Sequence, residues 1–282
     1  MAKIVVVTDS TADLDKKLAE ELGIKVIPLN VHFGDELYKD GIDITTEVFY
    51  ENLKDSPIPP KTSQPSPGDF HTVYKSLLAE GVTGIISIHI SEALSGTFQS
   101  ATIAKDMLPD ADIRIINSKT GSMGIGLKAI NVARAIAEGA DIDTAQKMVE
   151  DMVENQQAVF AVDTLEYLHR NGRIGRAQKL IGGMLNVKPI LHLDAEGYVA
   201  AKGKVRGKGK VVPYLLDESV AFAGEEKVDV AIVHALNPEL AQEMADALKE
   251  KITIRNLEVS SIGSVIGTHI GPGAIAVFIQ RI

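Results

Sequence analysis

Lys3-Ile4-Val5-Val6-Val7-Thr8-Asp9-Ser10-Thr11-Ala12-Asp13-Leu14 decides the fold. Residues 4–7 form an unbroken β-branched run. Alternating polarity would mark a strand with one wet face, whereas a continuous apolar run marks one buried on both faces, as in a parallel sheet. A polar loop, 8–11, stands at its C-terminal end. Residues 13–22 then read as a helix closed by Gly23.

The same unit recurs downstream. Strands are expected at 24–33, 84–90 and 113–116, and helices at 45–53, 68–79, 97–107 and 127–138. Strand, polar loop and helix in alternation predict an α/β fold with a mostly parallel sheet covered on both faces. Polar loops at 8–11, 62–66, 91–97 and 117–122 can converge at the carboxyl ends of the strands, where open α/β sheets bind ligands. After a helix at 143–155 the pattern changes. Strands at 159–162, 187–193, 198–202, 228–234, 254–259 and 274–279, helices at 208–223 and 238–251, and a loop at 263–273 predict a second, α+β domain. The boundary is placed between 156 and 157, giving domains 1–156 and 157–282.

Composition removes whole classes of chemistry. The 282 residues include no Cys, which excludes disulfides, thiolate metal sites and Cys nucleophiles. Trp is absent and aromatics total 5%, which argues against a nucleic-acid surface built on base stacking. No apolar run approaches the ~18 residues that span a bilayer, and the N-terminal run is too short for a signal peptide. A cytoplasmic protein is expected. The net charge of −9 is uneven: residues 167–216 hold ten Lys/Arg against Asp194 and Glu196. Such a basic stretch on an acidic chain marks either a solvated face or the dock for an anionic partner.

Several stretches carry possible chemistry. Lys61-Thr62-Ser63-Gln64-Pro65-Ser66-Pro67-Gly68-Asp69 places three hydroxyls on a stiff, non-helical segment, with Ser66 as helix N-cap and Pro67 first in the helix. It reads as an anion cradle or as a capped spacer. Ser95 in Ala93-Leu94-Ser95-Gly96-Thr97 is either a nucleophile or an N-cap, and the G-x-S-x-G elbow is missing because position 93 is Ala. Gly121-Ser122-Met123-Gly124-Ile125-Gly126 departs from the dinucleotide fingerprint and reads as packing glycines. The run 203–210 lacks Walker spacing. The seven His have no metal-site spacing, but His269 lies in Gly267-Thr268-His269-Ile270-Gly271-Pro272-Gly273, where backbone can approach a ligand closely.

Taken together, the pieces resemble the DegV family of bacterial fatty-acid-binding proteins. They are Val7-Thr8-Asp9-Ser10-Thr11-Ala12-Asp13-Leu14, Lys61-Thr62-Ser63-Gln64-Pro65-Ser66, Leu94-Ser95-Gly96-Thr97-Phe98-Gln99-Ser100-Ala101, Asn117-Ser118-Lys119 with the glycines to 126, Leu165-Glu166-Tyr167-Leu168 with Gly172-Arg173-Ile174, and Gly271-Pro272-Gly273-Ala274. The resemblance implies a two-domain protein that buries one long-chain fatty acid and needs no cofactor. It implies that Thr62 and Ser95 bind the carboxylate; Ser63, the backbone near Gly96 and, from its glycine-flanked loop, His269 are expected beside them as further ligand contacts. It further implies an acyl carrier, not an enzyme, that presents the head group to a fatty acid kinase. On this reading the basic stretch, chiefly Arg173 and Arg206, serves that partner. Asn171 departs from the Gly usual before Gly172-Arg173, and its tolerance of left-handed backbone is expected to preserve the turn. Two alternatives stand beside the carrier: a serine hydrolase using Ser95 and His269, and a nucleic-acid-binding regulator using the basic stretch.

Overall fold

The computed structural model describes residues 3–181 and 187–282. Strand β1 (Ile4–Asp9) ends in a 3-10 turn (Ser10–Ala12) and leads through α1 (Lys16–Glu21) to β2 (Lys25–Ile27). Next come β3 (Asn30–Phe33), β4 (Glu36–Lys39), α2 (Thr46–Asp55), β5 (Lys61–Ser63), α3 (Pro67–Ala79), β6 (Gly84–His89), α4 (Thr97–Asp106), β7 (Ile113–Asn117), α5 (Met123–Ala137) and α6 (Ile142–Glu154). The C-terminal half has β8 (Gln156–Ala161), α7 (Glu166–Arg170), a 3-10 segment (Gly175–Leu180), β9 (Val187–Leu193), β10 (Val199–Arg206) and, after a 3-10 turn (Lys208–Lys210), α8 (Val211–Ala223). It closes with β11 (Val228–His234), α9 (Pro238–Lys249), β12 (Ile254–Ser261), α10 (Ser264–Ile270) and β13 (Ile275–Arg281).

The fold is α/β, as read. Strands β2-β1-β6-β7 form a parallel sheet. The β-branched run of β1 is buried on both sides: Val6 faces α5 and α6 with Ile86 and Ile88, while Val7 faces α3 and α4 with Ile85. The second sheet, β10-β9-β8-β13-β11-β12, is antiparallel except for its last pair. Helices α8 and α9 cover one face. The other face packs on α5, whose residues 123–133 are all buried between the sheets. One apolar cluster joins Leu29, Phe49 and Met123 to Phe160, Ala276 and Phe278, so the core runs across the 156/157 boundary.

Four local expectations change. The first helix starts at Lys16, because Asp9 caps a 3-10 turn and Asp13 takes a left-handed conformation (φ 50°). The strand expected at 24–33 breaks at Pro28, which has no N–H to donate, and β2 and β3 join different sheets. The loop at 56–67 contains β5, which pairs with β3 (Val31 opposite Thr62) and forms the edge of a small β4-β3-β5 sheet. The loop at 263–273 contains α10. Gly267 sits inside that helix because a Cβ there would lie 2.8 Å from Phe49 and from the Tyr50 hydroxyl; the glycine serves close packing.

Lys128 is fully buried on α5, where Nζ donates to Gly124 O (3.0 Å) and Gln156 Oε1 (2.6 Å). Burial lowers its pKa from 10.5 to about 7. Between those values the unfolded chain binds the extra proton, so stability rises with pH across the window and the full cost applies below it. Lys128→Met is expected to stabilise the protein by roughly 1–4 kcal/mol below neutrality, with the advantage shrinking as pH rises. Urea midpoints of the two proteins across that range test this, and a pH-independent difference contradicts it.

Candidate functional site

A cavity with about 930 Å³ of empty space, counted to its open mouth, lies between the halves of the molecule. Its wall is apolar and comes chiefly from the second sheet. β8 and β13 pair so that Phe160 stands opposite Ala276, and Ala158 opposite Phe278. Each bulky ring thus faces a small residue, and all four line the cavity. Ile266 of α10 adds to the lining.

The polar groups gather from distant parts of the chain. Thr62 on β5, Ser95 ahead of α4, Arg173 after α7 and His269 near the end of α10 all line the cavity, with Ser63 and Gln64. Thr62 Oγ1 lies 2.8 Å from His269 Nε2 across 207 positions of sequence. The Ser63 hydroxyl accepts from Asn30 Nδ2 (3.2 Å) and lies 3.0 Å from His32 Nε2. Gly96 lets the two hydroxyl-bearing loops meet, since a Cβ there would come within 2.5 Å of the Gln64 amide.

Burial, reinforced by the Arg173 guanidinium, lowers the His269 pKa to about 4, so the ring is neutral at physiological pH. Its Nδ1 is buried without a hydrogen-bond partner among the described residues. Arg173 is anchored by donating to Leu94 O (3.2 Å) and Asn171 O (2.7 Å). It has no carboxylate partner among the described residues. An apolar cavity ending in neutral donors and one guanidinium suits a molecule with a long apolar body and an anionic head.

The structure brings Thr62, Ser63, Ser95, Gly96 and His269 together. It separates Arg173 from Arg206, which ends β10. Arg173, expected on a partner surface, is exposed and also lines the cavity, after the left-handed turn at Gly172. The basic stretch also loses part of its excess charge on folding. Acids from elsewhere meet it, giving Lys188–Asp163, Lys202–Glu218 and Arg170–Glu166, and Arg176 pairs with Asp194 and Glu196. Asn171 is not left-handed (φ −91°); Gly172 takes that position (φ 69°), and the Asn171 amide donates to Thr268 O (2.9 Å). Gln64 and Ser122 join the lining without having been singled out for it.

Ser95 and His269 do not form a nucleophile–base pair. The Ser95 hydroxyl lies 2.9 Å from Thr97 Oγ1, and His269 partners Thr62. Ser95 stands one place ahead of the N-cap position, Gly96, and its hydroxyl accepts from the first helical N–H, that of Thr97 (3.4 Å). A Ser87–His89–Asp9 relay does exist (2.7 and 2.9 Å), but all three residues are fully buried and Ser87 also contacts Tyr74. No substrate reaches it.

This is a layered α/β architecture with a cluster of polar side chains on the wall of a largely apolar cavity. The family model described as "Uncharacterised protein, DegV family" matches residues 3–281, and the chain belongs to the DegV family. A DegV domain-containing protein of Caldanaerobacter subterraneus is 36% identical over 285 residues, covering 100% of both chains. A DegV family protein from Thermus thermophilus, described as binding fatty acid, superposes with TM-score 0.94 at 33% identity, covering 99% of this chain and 100% of its own. DegV of Bacillus subtilis, described as a fatty acid binding protein, gives TM-score 0.87 at 34% identity over 100% of both chains.

Proposed function

We propose that this protein binds one long-chain fatty acid, such as palmitate, as a carrier rather than an enzyme. The observation that carries this is the set Thr62, Ser95, His269 and Arg173 at one pole of an otherwise apolar cavity. The acyl chain lies along β8 and β13 and the carboxylate accepts from the Thr62 and Ser95 hydroxyls. Thr62 can donate to a carboxylate only if it accepts from His269, so the ring carries its proton on Nε2. Burying a C16 chain at ~0.8 kcal/mol per methylene contributes on the order of 10 kcal/mol before association costs. Residues 1–156 supply Thr62 and Ser95 to the head group, and residues 157–282 supply His269, Arg173 and most of the tunnel wall. The fatty-acid-binding relatives support this reading.

Native mass spectrometry of the purified protein tests it. The expected spectrum contains a co-purifying mass of a long-chain acid. A ligand-free protein that shows no binding when titrated with palmitate overturns the proposal.

The finer reading is that a cytoplasmic fatty acid kinase phosphorylates the bound carboxylate. Arg206, in the basic stretch, belongs to that partner's dock, where long-range attraction speeds encounter and salt weakens it. Arg206→Glu is expected to leave palmitate affinity unchanged and to slow kinase-dependent acyl phosphate formation. Unaltered phosphorylation at low and high salt contradicts the role. Arg173, by contrast, is assigned to the head group.

A further inference from the structure

α10 has only seven residues, Ser264–Ile270. A helix so short has no stability of its own, so its placement is set by the core it packs on and by what its ends touch. At one end stands His269. At the other, the backbone N–H of Gly263 donates to Asp13 Oδ1 (3.0 Å) and the Ser264 hydroxyl donates to Asp40. The Ser260 hydroxyl donates to Asp13 O (2.8 Å). The same Asp13 carboxyl accepts from the hydroxyl of Ser122, the residue that precedes α5 and lines the cavity. Asp13 therefore joins two walls of the cavity.

The backbone on both sides of that contact is unusual. Asp13 (φ 50°) and Ser122 (φ 52°, ψ −145°) are two of the four non-Gly residues with positive φ among those described. Such conformations persist only where the surroundings over-determine them. Two donors converging on the buried carboxyl, Ser122 and Gly263, with Ser260 on the backbone carbonyl of the same residue, do so here.

We propose that Asp13 is a positioning residue for the head-group site: by fastening the start of α10 to the start of α5, it sets where His269 meets Thr62. This rests on the fatty-acid reading only for its consequence in binding. Burial pushes the Asp13 carboxyl well above its usual range, with neighbouring Asp40 and Asp9 acting in the same direction against the Ser122 hydrogen bond. Asp40 is raised by burial as well. Tyr50 faces the cluster from α2, its buried hydroxyl without a partner among the described residues. The neutral form is thereby favoured, and Asn is its closest mimic.

The test compares Asp13→Ala, Asp13→Asn and Ser122→Ala with wild type after delipidation. Palmitate titration, thermal unfolding and NMR titration of the His269 ring are measured on each. In wild type the ring is expected to titrate at about 4, because it is buried and faces Arg173. In Asp13→Ala it is expected to move toward the ordinary 6.5 as α10 unseats, with palmitate affinity falling roughly two- to thirtyfold. Asp13→Asn recovers both within a few-fold. Ser122→Ala falls between, and it decides the question if Asp13→Ala does not fold. A less stable Asp13→Ala whose His269 titrates as in wild type, with wild-type affinity, overturns the proposal. If no protein binds palmitate yet the His269 titration moves in Asp13→Ala, the clasp stands and the ligand reading falls.

Discussion

Alanine at Thr62 or at Ser95 is expected to weaken palmitate binding about ten- to a hundredfold while leaving the fold intact. On the proposed reading each hydroxyl donates a charge-assisted hydrogen bond to the carboxylate, and removing one costs about 1.5–3 kcal/mol. Neither side chain holds up the structure. Thr62 lies on a three-residue edge strand whose pairing is through backbone, and Ser95 makes only a local contact with Thr97. Thr62→Ala has a further consequence, since it strips His269 Nε2 of its partner. Thr62→Ser keeps a hydroxyl and is expected to recover most of the affinity. Because both groups serve one head group, the double mutant should lose less than the sum of the singles. Calorimetric titration of the four proteins checks this. Wild-type affinity in both single mutants would remove the carboxylate from this pole.

Ala276→Phe is expected to abolish useful binding of long chains and spare short ones. Ala276 stands opposite Phe160 at the cavity wall, with Phe278 two residues on along the same strand. A third ring there occupies the room left by the pairing of bulky with small residues. Displacing four methylenes at ~0.8 kcal/mol each costs about 3 kcal/mol, roughly a hundredfold. Overpacking of the buried sheet adds a stability penalty of about 1–3 kcal/mol, so the informative quantity is the ratio of C16 to C8 affinity. That ratio should fall roughly a hundredfold. If C8 and C16 lose affinity equally, the acyl chain does not run past β13.

Wherever a signal is local, the sequence is a sufficient guide. The run Ile4–Val7 foretold a strand buried on both faces, because β-branched residues without alternation have no wet side to offer. Ser66-Pro67 foretold the start of α3, where the capping box with Asp69 is present. Thr45 likewise caps α2. Thr62, Ser95 and His269 could be named as candidates because hydroxyl- and glycine-rich loops stand out in a chain of strands and helices.

Other features belong to tertiary structure alone. The glycines of 263–273 suggested a loop, yet α10 forms because its apolar residues find the core and Gly267 admits Phe49 and Tyr50; that packing partner is over two hundred residues away. The basic count over 167–216 suggested a surface, but charge along a chain does not say which acids fold back on it, and Asp163, Glu166 and Glu218 do. Arg173 comes near His269 at the cavity wall because its guanidinium, exposed on one side, is held by the carbonyls of Asn171 and of Leu94, 79 residues away. Residues could thus be chosen from the sequence by kind. Which of them share a site was decided by close-packed contacts between segments remote in the chain, and periodicity and capping carry no record of those contacts.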